Sequence, residues 1–575
     1  MSRKIVIIGA VALGPKVACR AYRADPTVQV TLIDQNRDIS YGGCGIPFFV
    51  SGDISDIKAL MSTSFHLVRD ESFFKEAKGV LVHSQTRATA INRRDRKVRL
   101  QDLLTGREED CPYDTLVLAT GAVPVKPNIP GIALEGVTTL SNPAEAQLIK
   151  NALSQGQVTH CVIIGAGPIG LEMAQAVSEL WGVETTLLEI QDQILPGILD
   201  PDLARMLSTE LKRHEVNLLL EERAVRILGD DQGKVIKVIT DQREIPADLV
   251  ILAAGVRPNT SLAEEAGLTI GSTGAISVNE FLQTSDPDIY AGGDCIELPH
   301  LITRQPVWYP SGSLANRQGR VIGTNAAGGR ETFPGVTGSF AVKLFDLSAG
   351  RSGLTQAAAL QAGFDAQEAL VIQADRAHFY PGQELIALKL VADRKTRRVL
   401  GLSGVAKNGD ALLARLNAIA GALPYQPTIE DVANLEIPYS PPFSGAMDIL
   451  NAVANTLKNT LEGKNRPLAV DQFRELFEGR KENEILFVDV RGPRNALPYV
   501  QRFSPDWINI PGETLTQGLG DLPKNKRLVL VCNSGVRSYE AQIVLDQEGI
   551  TNTLNLAGGI AAVKWAGLNP LEEED

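Results

Sequence analysis

The sequence predicts a multidomain α/β protein, and three observations support this prediction. The chain has 575 residues, whereas single hydrophobic cores stop growing near about 250–300 residues. Two apolar, strand-like runs, at 4–8 and 161–164, are each followed by a glycine-rich turn and a helical pattern. A third strand, loop and helix begin at Arg527. Strands that alternate with helices are typical of sheets covered by helices.

Composition and charge exclude several classes of protein. The chain is 44% hydrophobic and 22% charged, which is ordinary for a globular protein. Its net charge of −12 disfavours a nucleic-acid partner, because phosphate binding needs clustered cations. No run reaches the roughly 20 apolar residues of a membrane helix, so we expect a cytoplasmic protein without a membrane partner. Six scattered cysteines predict reduced thiols and no metal site.

The first glycine-rich turn has the outline of a dinucleotide-binding pattern. A helix is predicted over 16–24, and a strand over 28–33 ends at Asp34. Glycines let the backbone approach a pyrophosphate, the helix N-terminus stabilises its charge, and the acid accepts a ribose hydroxyl. Val11 stands where a second glycine usually occurs, so this copy alone leaves a plain strand–helix turn open. Its predicted contacts are Gly9, Ala12, Gly14 and Asp34.

The second copy is complete. Gly165, Gly167 and Gly170 precede a helix, and a strand over 183–188 ends at Glu189. This carboxylate would bind an adenosine 2′-hydroxyl and repel a 2′-phosphate. NADH is therefore favoured, and NADPH stays possible.

Three further segments fit two Rossmann-like nucleotide-binding domains. Two strand-like runs of similar sequence end in glycine, at Gly121 and Gly255. Near 288–294 a Gly-Gly-Asp allows close approach to a flavin chain, with an acid that can accept a ribityl hydroxyl. A two-nucleotide scaffold without redox chemistry is the open alternative. The predicted flavin contacts are completed by Ser40, Thr120, Gly121, Gly293 and Asp294.

With the motif Ser40-Tyr-Gly-Gly-Cys44-Gly-Ile-Pro, residues 1 to about 450 resemble the FAD-dependent pyridine nucleotide-disulfide oxidoreductases. The single cysteine resembles the branch of coenzyme A-disulfide and coenzyme A-persulfide reductases. The resemblance implies FAD and NAD(P)H as cofactors and a homodimer. It places FAD on 1–150 and 276–335, NAD(P)H on 151–275 and an α+β dimerisation domain at 336–450.

The resemblance makes Cys44 the redox residue. Two-cysteine members place their second cysteine where this chain has Phe49, so Cys44 must cycle through a mixed disulfide, a persulfide or a sulfenic acid. We expect its thiolate to be stabilised by the flavin and nearby helix N-termini. The sulfenic-acid route would indicate an NADH oxidase or peroxidase, which carry a histidine where this chain has Ala12. A non-catalytic redox sensor is the third alternative.

The resemblance also suggests proton donors and a substrate. Tyr439 would reach the partner subunit's Cys44, and Tyr380 would lie nearby, so either phenol could protonate a leaving thiolate. Packing at the interface is the alternative for both. Gly43 and Met447 replace an asparagine and a lysine of the family, which weakens coenzyme A binding. Basic side chains on the first helix could instead contact the phosphates of coenzyme A. The alternative is that these side chains only form a solvated helix face. The candidate substrate-binding residues are Lys16, Arg20, Arg23 and Gly43.

The C-terminal part resembles a rhodanese domain. A linker helix is predicted at 451–464, and 465–575 contains a strand ending in Asp489-Val-Arg and the loop Cys532-Asn-Ser-Gly-Val-Arg537. Successive amides of such a loop form a positive cradle that stabilises a thiolate or a persulfide. Arg537 would anchor the loop and meet anionic sulfur donors. An inactive, regulatory rhodanese is the alternative.

These parts predict an NAD(P)H-dependent reductase of persulfides, polysulfides or disulfides. Electrons would pass from NADH through FAD to Cys44, and Cys532 would relay sulfane sulfur. A coenzyme A persulfide or disulfide is the favoured substrate, with polysulfide or another small persulfide as the alternative.

Overall fold

The computed structural model describes residues 2–482, 484–523 and 525–572. The chain forms two compact units. The first comprises 1–190 and 221–336, and the second comprises 191–220 and 337–575.

Residues 2–154 form most of one parallel sheet and a small antiparallel sheet. Helix α1 begins three residues before its predicted start at Lys16, because Pro15 is tolerated in a first helical turn, where no backbone donor is lost. The strands are β1 (Lys4–Ile8), β2 (Gln29–Ile33), β3 (Val80–His83), β4 (Thr86–Asn92), β5 (Lys97–Asp102), β6 (Glu108–Pro112), β7 (Thr115–Leu118), β8 (Ala122–Pro124) and β9 (Val137–Thr138). The helices are α1 (Leu13–Ala24), α2 (Ile46–Val50), α3 (Glu71–Lys78) and α4 (Pro143–Ser154).

Residues 160–265 repeat the same strand–turn–helix design. In the first unit the strands run in the order β11-β10-β16-β9, and β10 pairs in parallel with both β11 and β16. The strands are β10 (His160–Ile164), β11 (Glu184–Leu188), β12 (Asn217–Leu219), β13 (Ala224–Gly229), β14 (Val235–Thr240), β15 (Glu244–Pro246), β16 (Leu249–Leu252) and β17 (Val256–Pro258). The helices are α5 (Pro168–Trp181), α6 (Pro201–Arg213) and α7 (Ser261–Glu265).

Residues 289–326 return to the first sheet. They contain β18 (Ile289–Ala291), β19 (Glu297–Pro299), β20 (Pro306–Trp308) and α8 (Gly312–Ala326). Strand β18 pairs in parallel with β7 and completes the order β18-β7-β1-β2-β3. The Gly-Gly-Asp that follows β18 therefore lies at the carboxyl end of this sheet, where parallel sheets bind their ligands.

In the second unit, residues 340–461 form an antiparallel sheet of order β21-β22-β25-β24-β23. Strand β25 is buried at every position, which explains its almost wholly apolar sequence. The strands are β21 (Phe340–Leu344), β22 (Leu347–Gly353), β23 (Ala366–Ala374), β24 (Leu385–Asp393) and β25 (Val399–Ala406). The helices are α9 (Gln356–Gln361), α10 (Gly409–Ala422), α11 (Ile429–Ala433) and α12 (Ile449–Leu461).

A buried ion cluster fastens α6 to this sheet. The Lys389 ammonium lies 2.8 Å from a carboxylate oxygen of Asp202 and 2.8 Å from one of Glu368. Burial raises the pKa of Glu368 to about 7. Because Asp202 and Glu368 share one cation, removing Lys389 would leave two buried acids without it.

Residues 467–565 form a parallel sheet of order β26-β30-β29-β27-β28. The rings of Phe487 and Trp507 stack 4.9 Å apart in its core. The strands are β26 (Pro467–Leu468), β27 (Ile485–Asp489), β28 (Trp507–Asn509), β29 (Arg527–Val531) and β30 (Thr553–Leu556). The helices are α13 (Val470–Glu478), α14 (Pro493–Phe503), α15 (Val536–Gln547) and α16 (Gly559–Trp565). Among all helices of the described ranges, none combines the length and apolar character needed to cross a membrane.

Candidate active site

The first glycine turn needs glycine for steric reasons. Gly9 has φ +108°, and a Cβ there would lie 2.1 Å from the carbonyl oxygen of Ala119. A Cβ at Gly14 would lie 1.9 Å from the carbonyl oxygen of Gly9, so α1 could not approach the turn. The Ala10 amide donates to the Asp34 carboxylate at 2.7 Å, and burial raises the pKa of Asp34.

A cavity of about 710 Å³ lies against this turn, within the size range of cofactor sites. The Asp294 carboxylate lines it and accepts a hydrogen bond from the Ser311 amide at 3.0 Å. Ser40 lies instead in the neighbouring groove described below, and Gly14 packs under the turn. The other predicted residues that line the cavity are Gly9, Ala12, Asp34, Thr120, Gly121 and Gly293.

The second glycine turn has the same geometry. Gly165 also has φ +108°, and a Cβ at Gly170 would lie 1.9 Å from its carbonyl oxygen. Ala166 donates its amide to Glu189 at 2.8 Å. A Cβ at Gly167 would meet nothing within 4 Å, so the N-terminus of α5 faces open space. This is the space that a pyrophosphate occupies in such turns.

Cys44 lies in a short 3-10 turn over Gly43–Gly45, immediately before α2, and its side chain is exposed. A Cβ built on Gly312, the first residue of α8, would lie 3.8 Å from the Cys44 sulfur. The 15-residue helix α8 therefore begins beside this sulfur, and its N-terminus favours a negative charge there. This agrees with the expectation that a helix N-terminus stabilises the thiolate.

Two carboxylates oppose that effect. Although the Cys44 side chain reaches solvent, the surrounding protein partly desolvates its sulfur and so raises its pKa, and the charges of Glu172 and Asp294 raise the pKa further. The two carboxylates were not part of the prediction, and their charges act against the helix end on the Cys44 sulfur. Glu172 was missed by sequence reasoning: burial raises its own pKa to about 7. It lies on α5, two residues after Gly170, where no sequence motif marks it.

The groove that holds Cys44, about 430 Å³ in volume, is lined by cations. Of the predicted substrate residues, Lys16, Arg23 and Gly43 line it. Arg20 does not, because its guanidinium donates to Thr324 at 2.8 Å and pairs with Glu331 at 3.6 Å. Sequence reasoning also missed two cations of this Cys44 groove, Arg69 and Lys78.

Arg69 is held in place by backbone carbonyls. Its guanidinium donates to Met61 and Leu60, each at 3.1 Å. Lys78 lies at the end of α3 with its ammonium 5.2 Å from the Phe73 ring. Neither residue belongs to a motif, so only the fold could assign them to the groove.

The two predicted proton donors belong to the second unit. Tyr439 is 51% exposed and Tyr380 is 36% exposed. Their two segments are joined by a hydrogen bond from the Ala377 amide to the Pro441 carbonyl at 3.3 Å. Phe443 beside Tyr439 is 73% exposed. Their predicted approach to the partner subunit's Cys44 stays a prediction.

Cys532 lies between β29 and α15 and is 1% exposed. The Gly535 amide donates to its sulfur at 3.0 Å, as predicted for an amide cradle. Ser538 Oγ lies 3.2 Å from the same sulfur. The Ile560 amide donates to the Cys532 carbonyl at 2.9 Å, which fixes the start of the loop.

The structure corrects the role expected for Arg537 as the anchor of this loop. No hydrogen bond or ion pair joins its guanidinium to another residue of the described ranges. The loop is held instead by Asn555, which donates to the Gly535 carbonyl at 3.1 Å. Arg537 is half-buried and remains available to an anionic ligand.

The comparison with family models agrees with this geometry. Residues 3–314 match the pyridine nucleotide-disulphide oxidoreductase family. The chain belongs to this family. Residues 339–450 match its dimerisation domain and 470–566 match the rhodanese-like domain. The predicted resemblance and fold class are confirmed, and this family implies FAD and NAD(P)H as cofactors of the oxidoreductase.

Relatives with known names match either most of this oxidoreductase or nearly its whole length. A "NAD(P)H sulfur oxidoreductase (CoA-dependent)" of Pyrococcus abyssi is 38% identical over 80% of this chain and 99% of its own. The solved "NAD-Dependent Persulfide Reductase from A. fulgidus" is 37% identical with a TM-score of 0.91, over 97% of this chain and 99% of that one. The reduced "Bacillus anthracis CoADR-RHD" is 30% identical with a TM-score of 0.88, over 98% of both chains.

Proposed function

We propose that this oxidoreductase uses NAD(P)H to reduce persulfides, polysulfides or disulfides at Cys44, and that its rhodanese module transfers sulfane sulfur through Cys532. One observation supports the proposal above the others. The chain holds two cysteines beside backbone amide donors: Cys44 lies at the N-terminus of α8, and Cys532 accepts a hydrogen bond from the Gly535 amide. The persulfide reductase and the CoA-dependent relative described above support the same activity.

The residues present fit both cofactors. The 710 Å³ cavity would hold FAD through the first glycine turn, Asp34 and Asp294, and the second turn with Glu189 would hold NAD(P)H. NADH is favoured because Glu189 opposes a 2′-phosphate. When bound, the two cofactors supply the electron pair that sulfur reduction requires.

At the Cys44 groove the chain's own residues control the thiol. The Cys44 thiolate attacks the sulfane sulfur of the substrate, the bond between that sulfur and its carrier breaks, and the departing carrier thiolate takes up a proton. The electron pair that the cofactors would supply then splits the new Cys44 S–S bond, which releases hydrosulfide and restores the thiol. The N-terminus of α8 favours the attacking thiolate. Glu172, with a pKa of about 7, can hold or release a proton in this region near neutral pH. We assign a second proton to Tyr439 of the partner subunit, with Tyr380 as its neighbour.

The charges of the groove favour an anionic, phosphate-bearing substrate. Lys16, Arg23, Arg69 and Lys78 all line it, and such a cluster suits the phosphates of coenzyme A. Gly43 leaves room beside Cys44 but offers no side-chain contact. We therefore favour a coenzyme A persulfide or disulfide over inorganic polysulfide, which would use the thiol without these cations.

We propose a homodimer with shared active sites. The matched dimerisation domain supports this assembly, as do the exposed Tyr439 and Phe443, since large exposed apolar side chains in a cluster mark an interface. We also propose a reducing, cytoplasmic location, because all six cysteines are free.

Anaerobic turnover with NADH tests the substrate. Coenzyme A persulfide, coenzyme A disulfide and polysulfide are compared by hydrosulfide or thiol released. A lower KM for the coenzyme A forms supports the role of the four cations, and equal use of polysulfide contradicts it. Oxygen or peroxide consumption without sulfide release would instead favour an NADH oxidase.

A further inference from the structure

A chain of buried polar side chains leads from the Cys532 loop to the linker helix α12. Ser538 is 0% exposed, and Asn555 and Asn465 are each 4% exposed. Ser538 Oγ lies 2.6 Å from Asn555 Oδ1. Asn555 donates to Asn465 Oδ1 at 3.0 Å, and Asn465 donates to Thr460 Oγ1 at 3.1 Å.

The direction of every hydrogen bond in this chain is fixed. Because the Gly535 carbonyl can only accept, the atom of Asn555 that faces it must be Nδ2. Asn555 Oδ1 therefore faces Ser538 and must receive the single hydroxyl proton of that serine. At the other end, Thr460 donates to the Thr456 carbonyl at 3.0 Å, which leaves its oxygen to accept from Asn465.

This direction decides what Ser538 offers to Cys532. With its proton committed to Asn555, the Ser538 oxygen presents a lone pair to the sulfur 3.2 Å away. It can accept a hydrogen bond from the thiol, whereas a thiolate there would face a lone pair. The cradle amide of Gly535 favours the anion, so Ser538 and Gly535 act in opposite directions on the same sulfur.

We propose that Asn555, oriented by Asn465, is a positioning residue that turns the Ser538 hydroxyl away from Cys532 and so stabilises the protonated thiol. This inference rests on the proposed sulfur transfer by Cys532. In unloading, an acceptor thiol RSH attacks the outer sulfur of the Cys532 persulfide. The Cys532 S–S bond breaks, an R–S–S⁻ persulfide forms, and the proton of RSH passes to Cys532. A network that favours the thiol therefore favours unloading of sulfur toward the acceptor.

Other charges near Cys532 stay unchanged by the test. Arg491, which follows β27, acts on the cysteine electrostatically and is paired with Asp489 at 2.6 Å. Arg537 lies on the same loop. Any effect of altering Asn555 must therefore come through Ser538, or through a shift or misfolding of the loop that Asn555 also holds at the Gly535 carbonyl.

The experiment measures alkylation of Cys532 by iodoacetamide against pH, in full-length, FAD-loaded protein, with peptide mass spectrometry to isolate this cysteine. In Asn555→Leu the Ser538 hydroxyl is free to donate to the sulfur, so the midpoint of the profile should fall by about one pH unit. Asn465→Leu should shift it in the same direction by less. Asn552→Leu is the control, since Asn552 is exposed and does not belong to the hydrogen-bonded series of side chains that runs from Ser538 to Thr460.

A double variant separates positioning from damage. If Asn555 acts through Ser538, Asn555→Leu causes no further shift in a Ser538→Ala background. An unchanged midpoint in Asn555→Leu, or the same shift in both backgrounds, overturns the inference. Should Asn555→Leu fail to fold, an unshifted Asn465→Leu overturns it. Loading of Cys532 from thiosulfate is measured separately, because its absence would contradict the proposed function and leave the alkylation result standing.

Discussion

Replacing Glu172 by glutamine should stabilise the folded protein in a strongly pH-dependent manner. Burial raises the pKa of Glu172 from 4.5 to about 7, so the folded state disfavours its ionised form. The cost to stability is negligible below pH 4.5, grows as the pH rises from 4.5 to 7, and is almost complete above pH 7. At about 1.4 kcal/mol for each unit of pKa, the full cost is about 3 kcal/mol at pH 8 and about 1 kcal/mol at pH 5.

Two assays measure this effect. Thermal unfolding of flavin-free Glu172→Gln should show stabilisation at pH 8 that largely disappears at pH 5. Because ionised Glu172 also raises the pKa of Cys44, the variant should alkylate faster at Cys44 above pH 7 and equally fast below pH 6. Glu179→Gln, an exposed glutamate on the same helix, is the matched control. Equal stability of Glu172→Gln and wild type at pH 8 would show that burial of the ionised Glu172 carboxylate does not destabilise the fold.

Four other predictions follow from the packing and the charges. Arg69→Ala should raise the KM for a coenzyme A substrate at least tenfold while sparing polysulfide, whereas Arg20→Ala, held outside the groove by Thr324 and Glu331, should leave both KM values unchanged; equal effects would contradict the groove. Gly170→Ala should abolish NADH binding with FAD retained, because its Cβ would lie 1.9 Å from a carbonyl oxygen, and an unchanged Kd by titration would contradict this. Lys389→Met should lower the free energy of unfolding by about 3 kcal/mol at pH 8, and less at acid pH, where Glu368 is neutral; a pH-independent loss in urea unfolding would count against the ion cluster. Cys532→Ser should remove thiosulfate sulfurtransferase activity and spare NADH-dependent reduction of a small persulfide supplied directly, and loss of both would indicate that the two parts do not act separately.

Local patterns in the sequence predict the nucleotide-binding parts well. The alternation of buried strand, glycine turn and acid is enough to place Gly9 with Asp34 and Gly165 with Glu189. The residues that make these contacts lie close together in the sequence, and the turns leave no space for any side chain larger than that of glycine. The same holds for the amide cradle of Cys532, which is one continuous loop.

Long-range packing decides the rest. Arg20 and Arg23 are equivalent on a helical pattern, yet Thr324 and Glu331, some three hundred residues later, take Arg20 out of the groove. Arg69 and Glu172 reach the Cys44 region only through the fold. Likewise, Arg537 matches its motif, but Asn555 holds the loop, and no spacing rule relates Asn555 to Cys532.

In the proposed reaction Cys44 carries electrons from NADH to sulfur. The most direct test of this transfer is the ratio of hydrosulfide released to NADH consumed, measured anaerobically with a persulfide substrate. Wild type should release one hydrosulfide for each NADH, and Cys44→Ser should release none while keeping its flavin and its flavin reduction by NADH. Undiminished hydrosulfide release by Cys44→Ser would show that Cys44 is not the residue that reduces sulfur.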